Sequence, residues 1–327
     1  MKRRTWLAVA SAAALSSLLA PARAAAPYPN RPVRLIVPFL PGSSPDNTAR
    51  ALALELGQSL GQPLVVENMP GAGGIIGAGA LKRAAADGYT LGILANTHVI
   101  NVHMHRNMPY DPARDFTSIA AISGGPSVLV VPAAAPYKTA SDLIAAMKRE
   151  PGALNYGSGG KGSIAHLAVE ALLHQTGARA VHIPYKGAPE IISAMLSGQT
   201  QFGMPVLATA THFLRTGQIR ALAVSSSARS AYFPDIPTLA EALPPGFVID
   251  NWSGLFAPAR LPQELTRRLF EAVTELQRNG RLDALIKASS GELRLSASPA
   301  EFNAMVAAET VRYGKLIRQV GANTDAS

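Results

Sequence analysis

A two-lobed α/β fold, each lobe a mostly parallel sheet flanked by helices with a hinge between them, is predicted by three observations. Short β-branched runs alternate with helical patterns along the chain. About 300 residues remain beyond an N-terminal export segment, and domains of about 50–200 residues make two the natural count. The C-terminal part carries helical patterns too few for a third domain. They are expected to return to the first lobe and make it discontinuous, 25–126 with 251–327, around a second lobe at 127–250.

The export segment comes first. Lys2, Arg3 and Arg4 precede an uncharged run from Trp6 to Ala20, and Pro21-Ala22-Arg23-Ala24 supplies a small-residue cleavage site. This reads as a secretory signal peptide over 1–24, since a membrane anchor needs an apolar run of about 20 residues. No Cys follows the run, so a lipid-modified cysteine is excluded.

Val33 to Val37 reads as a buried strand, closed by Pro38-Phe39-Leu40-Pro41-Gly42-Ser43-Ser44. Ser44 suits an N-cap, Pro45 the first helical position and Asp46 the first turn. The helix carries Ala49, Leu52, Ala53, Leu56 and Leu60 on one stripe and stops at Gly61. Leu64-Val65-Val66 follows as a strand, then a helix opened by Gly71 to Gly79 and running through Ala86, then Thr90 to Leu94 as a strand.

The second set begins at Val128 to Val131. Ser141 to Lys148 and Ser163 to Gln175 read as helices on either side of a strand at Asn155 to Ser158. Val181 to Pro184, Gln201 to Met204 and Arg220 to Val224 read as strands, with a helix from Pro189 to Leu196. The Pro-rich stretch from Phe233 to Pro245 reads as a connection. Two long helical patterns fill Pro262 to Val320, one striped by Leu265, Leu269, Ala272, Val273 and Leu276, the other less purely by Phe302, Val306, Glu309, Tyr313 and Leu316.

Charge and composition exclude several classes. The formal charge of +9 loses four cations, Lys2, Arg3, Arg4 and Arg23, with the export segment, leaving +5. That excess favours small anionic ligands, and its scatter does not make a nucleic-acid face. Arg267-Arg268 and Arg312, Lys315 and Arg318 read as solvated helix faces. His103 and His105 lack the further ligands a metal site needs. In Gly71-Ala72-Gly73-Gly74-Ile75-Ile76-Gly77 the last glycine of a dinucleotide fingerprint is replaced by Ile76, and Gly162 separates Lys161 from Ser163 where a P-loop needs them adjacent. No cofactor and no metal is expected.

Two loops share one design, a strand, a Gly/Ser turn and a helix start. They are Gly42-Ser43-Ser44 before Asp46, and Ser158-Gly159-Gly160-Lys161-Gly162-Ser163 before His166 and Glu170. Each helix start offers unpaired N–H groups and about half a positive charge to an anion. An ordinary capped turn has the same pattern. Asn96, Thr97 and His98, after the third strand, are further cleft candidates. Lys186 reads as a surface lysine, and Trp252 as core or hinge packing. Ser163, His166 and Glu170 share a helix face, but no G-x-S-x-G elbow surrounds Ser163, so a serine hydrolase is a remote alternative and His166 fits a capping or interface role.

Several segments are similar to one family. They are Tyr28 to Phe39, Val66-Glu67-Asn68-Met69-Pro70-Gly71-Ala72-Gly73-Gly74, Asp87 to Leu91, Pro109-Tyr110-Asp111-Pro112 with Asp115-Phe116, and Gly162-Ser163 with His166-Leu167-Ala168 and Glu170. Pro184-Tyr185-Lys186-Gly187, Arg220 to Val224, Pro234 to Thr238 and the Trp252 segment continue the match in order. They resemble the Bug, or TctC-like, periplasmic substrate-binding proteins of tripartite tricarboxylate transporters.

The resemblance implies a hinged type II periplasmic-binding-protein-like fold in the periplasm, monomeric and not an enzyme. Such a protein captures a small mono- or dicarboxylate and delivers it to inner-membrane transporter subunits; a ligand-sensing adaptor for a membrane-bound regulator is the alternative. Carried onto this chain, the first binding loop spans Phe39 to Asp46, with Gly42, Ser43 and Ser44 as candidates and Asp46 organising the turn. The second spans Ser158 to Ser163, with Ser158, Gly159, Gly162 and Ser163 at the carboxylate and His166 behind. Ser43 stands where the family commonly has a second glycine. Pro205 and Val206 fall where members vary to set the ligand.

Overall fold

The computed structural model describes residues 28–288 and 291–321. The export segment at 1–24 lies outside them, as do the ends of the expected first lobe. Among the described residues, β1 (Val33–Val37), β2 (Leu64–Asn68), β3 (Thr90–Ala95), β4 (Phe116–Pro126), β10 (Asp250–Pro258) and β11 (Glu292–Leu293) form one sheet in the order β11-β4-β10-β3-β1-β2. A second sheet, β7-β6-β8-β5-β9, is made by β5 (Val128–Pro132), β6 (Asn155–Ser158), β7 (Val181–Pro184), β8 (Phe202–Gly203) and β9 (Ile219–Val224).

Both sheets are mixed rather than mostly parallel. β1 runs parallel to β2 and β3, but β10 is antiparallel to β3 and β4, and β11 to β4. In the second sheet β6 is parallel to β7 and β8, while β5 is antiparallel to β8 and β9. The reason is the path of the chain. β4 runs out of the first sheet, passes through Ser127 alone and becomes β5; the chain returns after β9 across residues 225–249 and enters the middle of the first sheet from the opposite direction as β10.

Helices cover both faces. Helix α1 (Ser44–Leu60) lays Ala49, Leu52 and Leu56 on the core of Leu35, Val37, Leu91 and Leu255, where α9 (Gln263–Arg278) adds Leu269, Val273 and Leu276. These apolar stripes were the periodic ones in the sequence, and burying a side chain of this size gains about 1.5–3 kcal/mol. α2 (Ile75–Lys82) follows a short 3₁₀ turn at Ala72–Gly74 and ends before the expected Ala86. α3 (Thr97–Met104) stands on the other face.

The second sheet is flanked by α4 (Ala140–Arg149), α5 (Ile164–Thr176), α6 (Ala188–Leu196) and α7 (Leu207–Arg215), and the Pro-rich connection contains one turn, α8 (Leu239–Ala242). The C-terminal part holds three helices rather than two, because α10 (Arg281–Ala288) separates α9 from α11 (Pro299–Val320). α11 buries Phe302, Val306, Tyr313 and Ile317 against Trp252 and Phe256, while Glu309 of the expected stripe instead pairs with Arg312. Leu316 and Val320 of α11 also touch the core of the second sheet.

Candidate functional site

A cleft of about 820 Å³, including space open to solvent, lies between the two sheets. Five helix starts reach it: Ser44 and Pro45 of α1, Thr97 of α3, Ile164 and Ala165 of α5, Ala188 of α6, and Val206 beside α7. The first turn of each helix leaves N–H groups without intrahelical partners and carries about half a positive charge. The floor is the strand pair Ser123-Gly124 and Asn251-Trp252-Ser253, and Pro38, Phe39, Leu40, Ile191 and Pro205 give it apolar walls. Lys186 is the one charged residue in the lining among the described residues, so it faces the cleft as well as solvent.

Phe39, Ser43, Ser44, Asn96, Thr97, Gly159, Ser163, Pro205 and Val206 are therefore brought together around one space. Gly42, Asp46, Ser158, Gly162 and His166 are not in the lining; they stand behind it and shape the two loops. His98 is not in it either, because its ring is buried against Tyr110 and Phe116.

In loop one the N-cap is Ser43 rather than Ser44, which is the first helical residue, and Ser43 Oγ makes no capping bond. Asp46 instead holds the turn that precedes the helix. Its carboxylate, 1 % exposed, accepts the Gly42 N–H at 2.9 Å, Arg50 Nε–H at 2.9 Å and Asn68 Nδ2–H at 2.8 Å. Burial pushes its pKa up, but the bonds from Arg50, Asn68 and the Gly42 N–H outweigh this and hold it below the usual carboxylate value. Asp46 is thus an internal anion that fixes the turn and leaves Ser43 free. Ser43 Oγ and Trp252 Nε1 are buried with no hydrogen-bond partner among the described residues. Thr48 Oγ1, Ser123 Oγ and Ser253 Oγ form a chain of 2.7 Å contacts that ties α1 to the floor.

Loop two is held by histidines. Ser158 Oγ accepts the Gly160 N–H at 3.2 Å and lies 2.6 Å from His182 Nε2. Ser163 caps α5 by accepting the His166 N–H at 3.2 Å, and Gly162 N–H points to His166 Nδ1 at 3.5 Å. The His166 and His182 rings stack 4.3 Å apart. Burial, then the neighbouring His182 and Lys161, lower His166 to about 3; burial and Lys161 lower His182 to about 4. Both are neutral at pH 7. The Ser163 hydroxyl meets a backbone N–H instead of the imidazole, and Ser158, which faces His182, is 0 % exposed. Neither serine is prepared for nucleophilic attack.

Asn96 lines the cleft but its amide is engaged: Nδ2 donates to Tyr313 Oη at 2.7 Å and Oδ1 accepts the Trp252 N–H at 2.7 Å. Residues missed by sequence reasoning include Gly73 and Gly74, the floor residues and Thr209. The Gly71–Gly74 motif carried a signal, since a tight glycine turn before a helix resembles the other two loops. The floor carried none. Among the described residues no group of three or more His, Asp or Glu could hold a metal ion, and no helix is long and apolar enough to cross a membrane.

Comparison with known proteins gives the family and the fold. Residues 48–322 match the family described as "Tripartite tricarboxylate transporter family receptor". Protein BugT of Bordetella pertussis is 35 % identical over 298 residues, 90 % of this chain and 91 % of BugT. A solved R. palustris protein, Rpa4515 with adipate, is 32 % identical with a TM-score of 0.87, covering 90 % of this chain and 98 % of that one. MatC from Rhodopseudomonas palustris with bound malate is 28 % identical with a TM-score of 0.84, over 89 % and 100 %. This chain belongs to the tripartite tricarboxylate transporter receptor family and has the two-sheet fold of periplasmic solute-binding proteins.

Proposed function

We propose that the protein binds a small organic acid, a mono- or dicarboxylate, in this cleft within the periplasm and hands it to the membrane subunits of a tripartite tricarboxylate transporter. The observation that carries this reading is the convergence of five helix starts on a cleft lined, among the described residues, by one cation and no anion. Each helix start favours a nearby anion by roughly 0.3–2 kcal/mol, and micromolar affinity needs about 8 kcal/mol. Several starts acting together, with apolar contacts to the ligand body, reach that range; one alone does not.

We assign the carboxylate to Ser43, Ser44, Thr97, Gly159 and Ser163, with Phe39, Pro205 and Val206 framing the rest of the ligand. Residues 25–126 with 251–327 form one lobe and 127–250 the other, and residues 1–24 are removed on export. The protein performs no chemistry on its ligand. The adipate and malate held by two relatives support a carboxylate.

Thermal unfolding of the mature protein against a panel of organic acids tests the reading. A true ligand at 100 times its Kd adds about 2.7 kcal/mol of stability. Silence across carboxylates, with a response to sugars or cations, overturns it.

A further inference from the structure

The two sheets also meet beside the cleft, around one side chain. Asn101 of α3 is 0 % exposed and lies outside the cleft lining. Its Nδ2 donates to Gly73 O at 3.0 Å, which fixes the direction of the amide. Its Oδ1, buried with no hydrogen-bond partner among the described residues, packs against Gly162 so closely that a Cβ added at Gly162 would sit 2.4 Å from it. A Cβ at Gly73 would meet Lys161 O at 3.2 Å. Two glycine turns, Gly71–Gly74 from the first lobe and Lys161-Gly162 from the second, therefore close on Asn101, with no room for a methyl group at Gly162 and a tight fit at Gly73.

Two other contacts bridge the same gap. Ser44 N–H donates to Thr209 Oγ1 at 3.2 Å, and a Cβ at Gly187 would meet Leu40 Cδ1 at 3.1 Å. The first joins the start of α1 to α7, and the second joins the loop after β1 to the N-cap of α6. A side chain at 162 would overlap Asn101, and side chains at 73 and 187 would press on Lys161 O and Leu40, so glycine at these positions favours the close approach of the loops.

We propose that Asn101 is a positioning residue for ligand binding, the centre of a latch sized for glycine that sets how much of the protein is closed. This rests on the reading of the cleft as a binding site that closes over its occupant. It also gives the glycine motif at Gly71–Gly74 a role in closure. Apparent affinity scales with the fraction of molecules in the binding-competent state, so a latch that touches no ligand still tunes binding. A tenfold fall in the closed fraction weakens every ligand tenfold.

Interlobe distances measured on ligand-free protein test the latch. The chain has no cysteine, so Leu54→Cys on α1 and Leu196→Cys on α6, at positions 53 % and 43 % exposed, accept spin labels uniquely. The labelled parent is expected to populate the short distance of the closed form, and Gly162→Ala to shift it to longer distances. Asn101→Ala should then act with opposite signs. It lengthens the distance in the parent by removing the contact, and shortens it in Gly162→Ala by removing the clash.

The same sign in both backgrounds overturns the proposal, as does a parent with no closed population. Gly162 has φ 79, so Gly162→Ala also strains its own turn. Should that variant not fold, Gly187→Ala with Leu40→Ala as its partner gives the same cycle, because Gly187 has the extended φ of 176 that any residue adopts. Failure of acids to bind would sink the binding reading alone, since these distances are read without ligand.

Discussion

Asp46 shows how one buried charge builds a site without entering it. Its three donors hold the first loop in shape, and removing the carboxylate leaves the Gly42 N–H, Arg50 and Asn68 without their acceptor. Asp46→Ala is expected to lower the unfolding free energy by about 2–4 kcal/mol in urea titrations at pH 7. The folded pKa lies below the ordinary 3.8, so this stabilisation is present above that value and lost as pH falls through the folded pKa. The gap between Asp46→Ala and the parent should narrow there. Lys186 works at the cleft instead. Its exposed ammonium is screened, so Lys186→Met should weaken adipate, used as a probe dicarboxylate, about two- to fivefold in calorimetric titration, less at high salt. An unchanged affinity at low salt would return Lys186 to the ordinary surface lysine that its residue type suggests. Ser43, Ser44, Gly159 and Ser163 were legible because a glycine turn before a helix start is a local signature. Thr209 was not, because its role depends on a bond to Ser44 that is 165 positions away in the chain.

Helix α5 and the strands behind it carry the pH response of the second loop. His166 faces His182, Glu170, Lys161 and Tyr156; its Nε2 lies 3.9 Å from Glu170 Oε1, and Tyr156 donates to that same oxygen. Its Nδ1 accepts from Gly162, so a proton there would expel the loop's N–H. The folded pKa values, about 3 and about 4, lie below the ordinary imidazole value of 6.5, so the stability held by the neutral rings is complete above pH 6.5 and declines as pH falls toward them. For His166 the loss runs at about 1.4 kcal/mol per pH unit in that window, and for the less buried His182 it is smaller. His166→Gln should flatten the stability profile between those limits in denaturant titrations; a profile as steep as the parent's rejects the assignment. His98, buried against Tyr110 and lowered to about 3, adds a loss of the same sign that this variant leaves in place. Elements with their own period, such as α1 and α9, were readable from sequence because apolar stripes at helical spacing need no partner to be seen. β4 and β10 were not. Phe116 to Pro126 mixes Ser and Gly with small apolar residues, and Asp250 to Ser253 is polar, yet both strands are buried through long-range pairing in the first sheet.

At the scale of the molecule, the two lobes are joined by few strands of chain, and the polar groups at the crossing decide how it bends. Ser127 and Ser225 exchange bonds: Ser127 N–H donates to Ser225 Oγ at 2.9 Å, and Ser225 N–H to Ser127 O at 2.9 Å. Ser225 Oγ donates onward to Ile249 O at 2.6 Å, and Asn251 Nδ2 reaches both Ser127 Oγ and Gly125 O at 3.1 Å. One hydroxyl, 0 % exposed, thus clamps the outgoing crossing to the returning one. In a hinge protein the crossing must survive both states, because a few residues there absorb the change in backbone angles. Ser225→Ala leaves the Ser127 N–H and the Ile249 carbonyl without this partner, which costs about 1–3 kcal/mol of stability. The consequence for binding differs from that of a site variant. Losing the clamp broadens the range of lobe orientations, so the spread of interlobe distances should widen around an unchanged set of cleft contacts. Affinity then falls by the same factor for every acid, while a change at Ser43 or Lys186 alters the ranking of acids. A Ser225→Ala protein whose losses differ from one acid to the next would place Ser225 in ligand recognition rather than in the hinge.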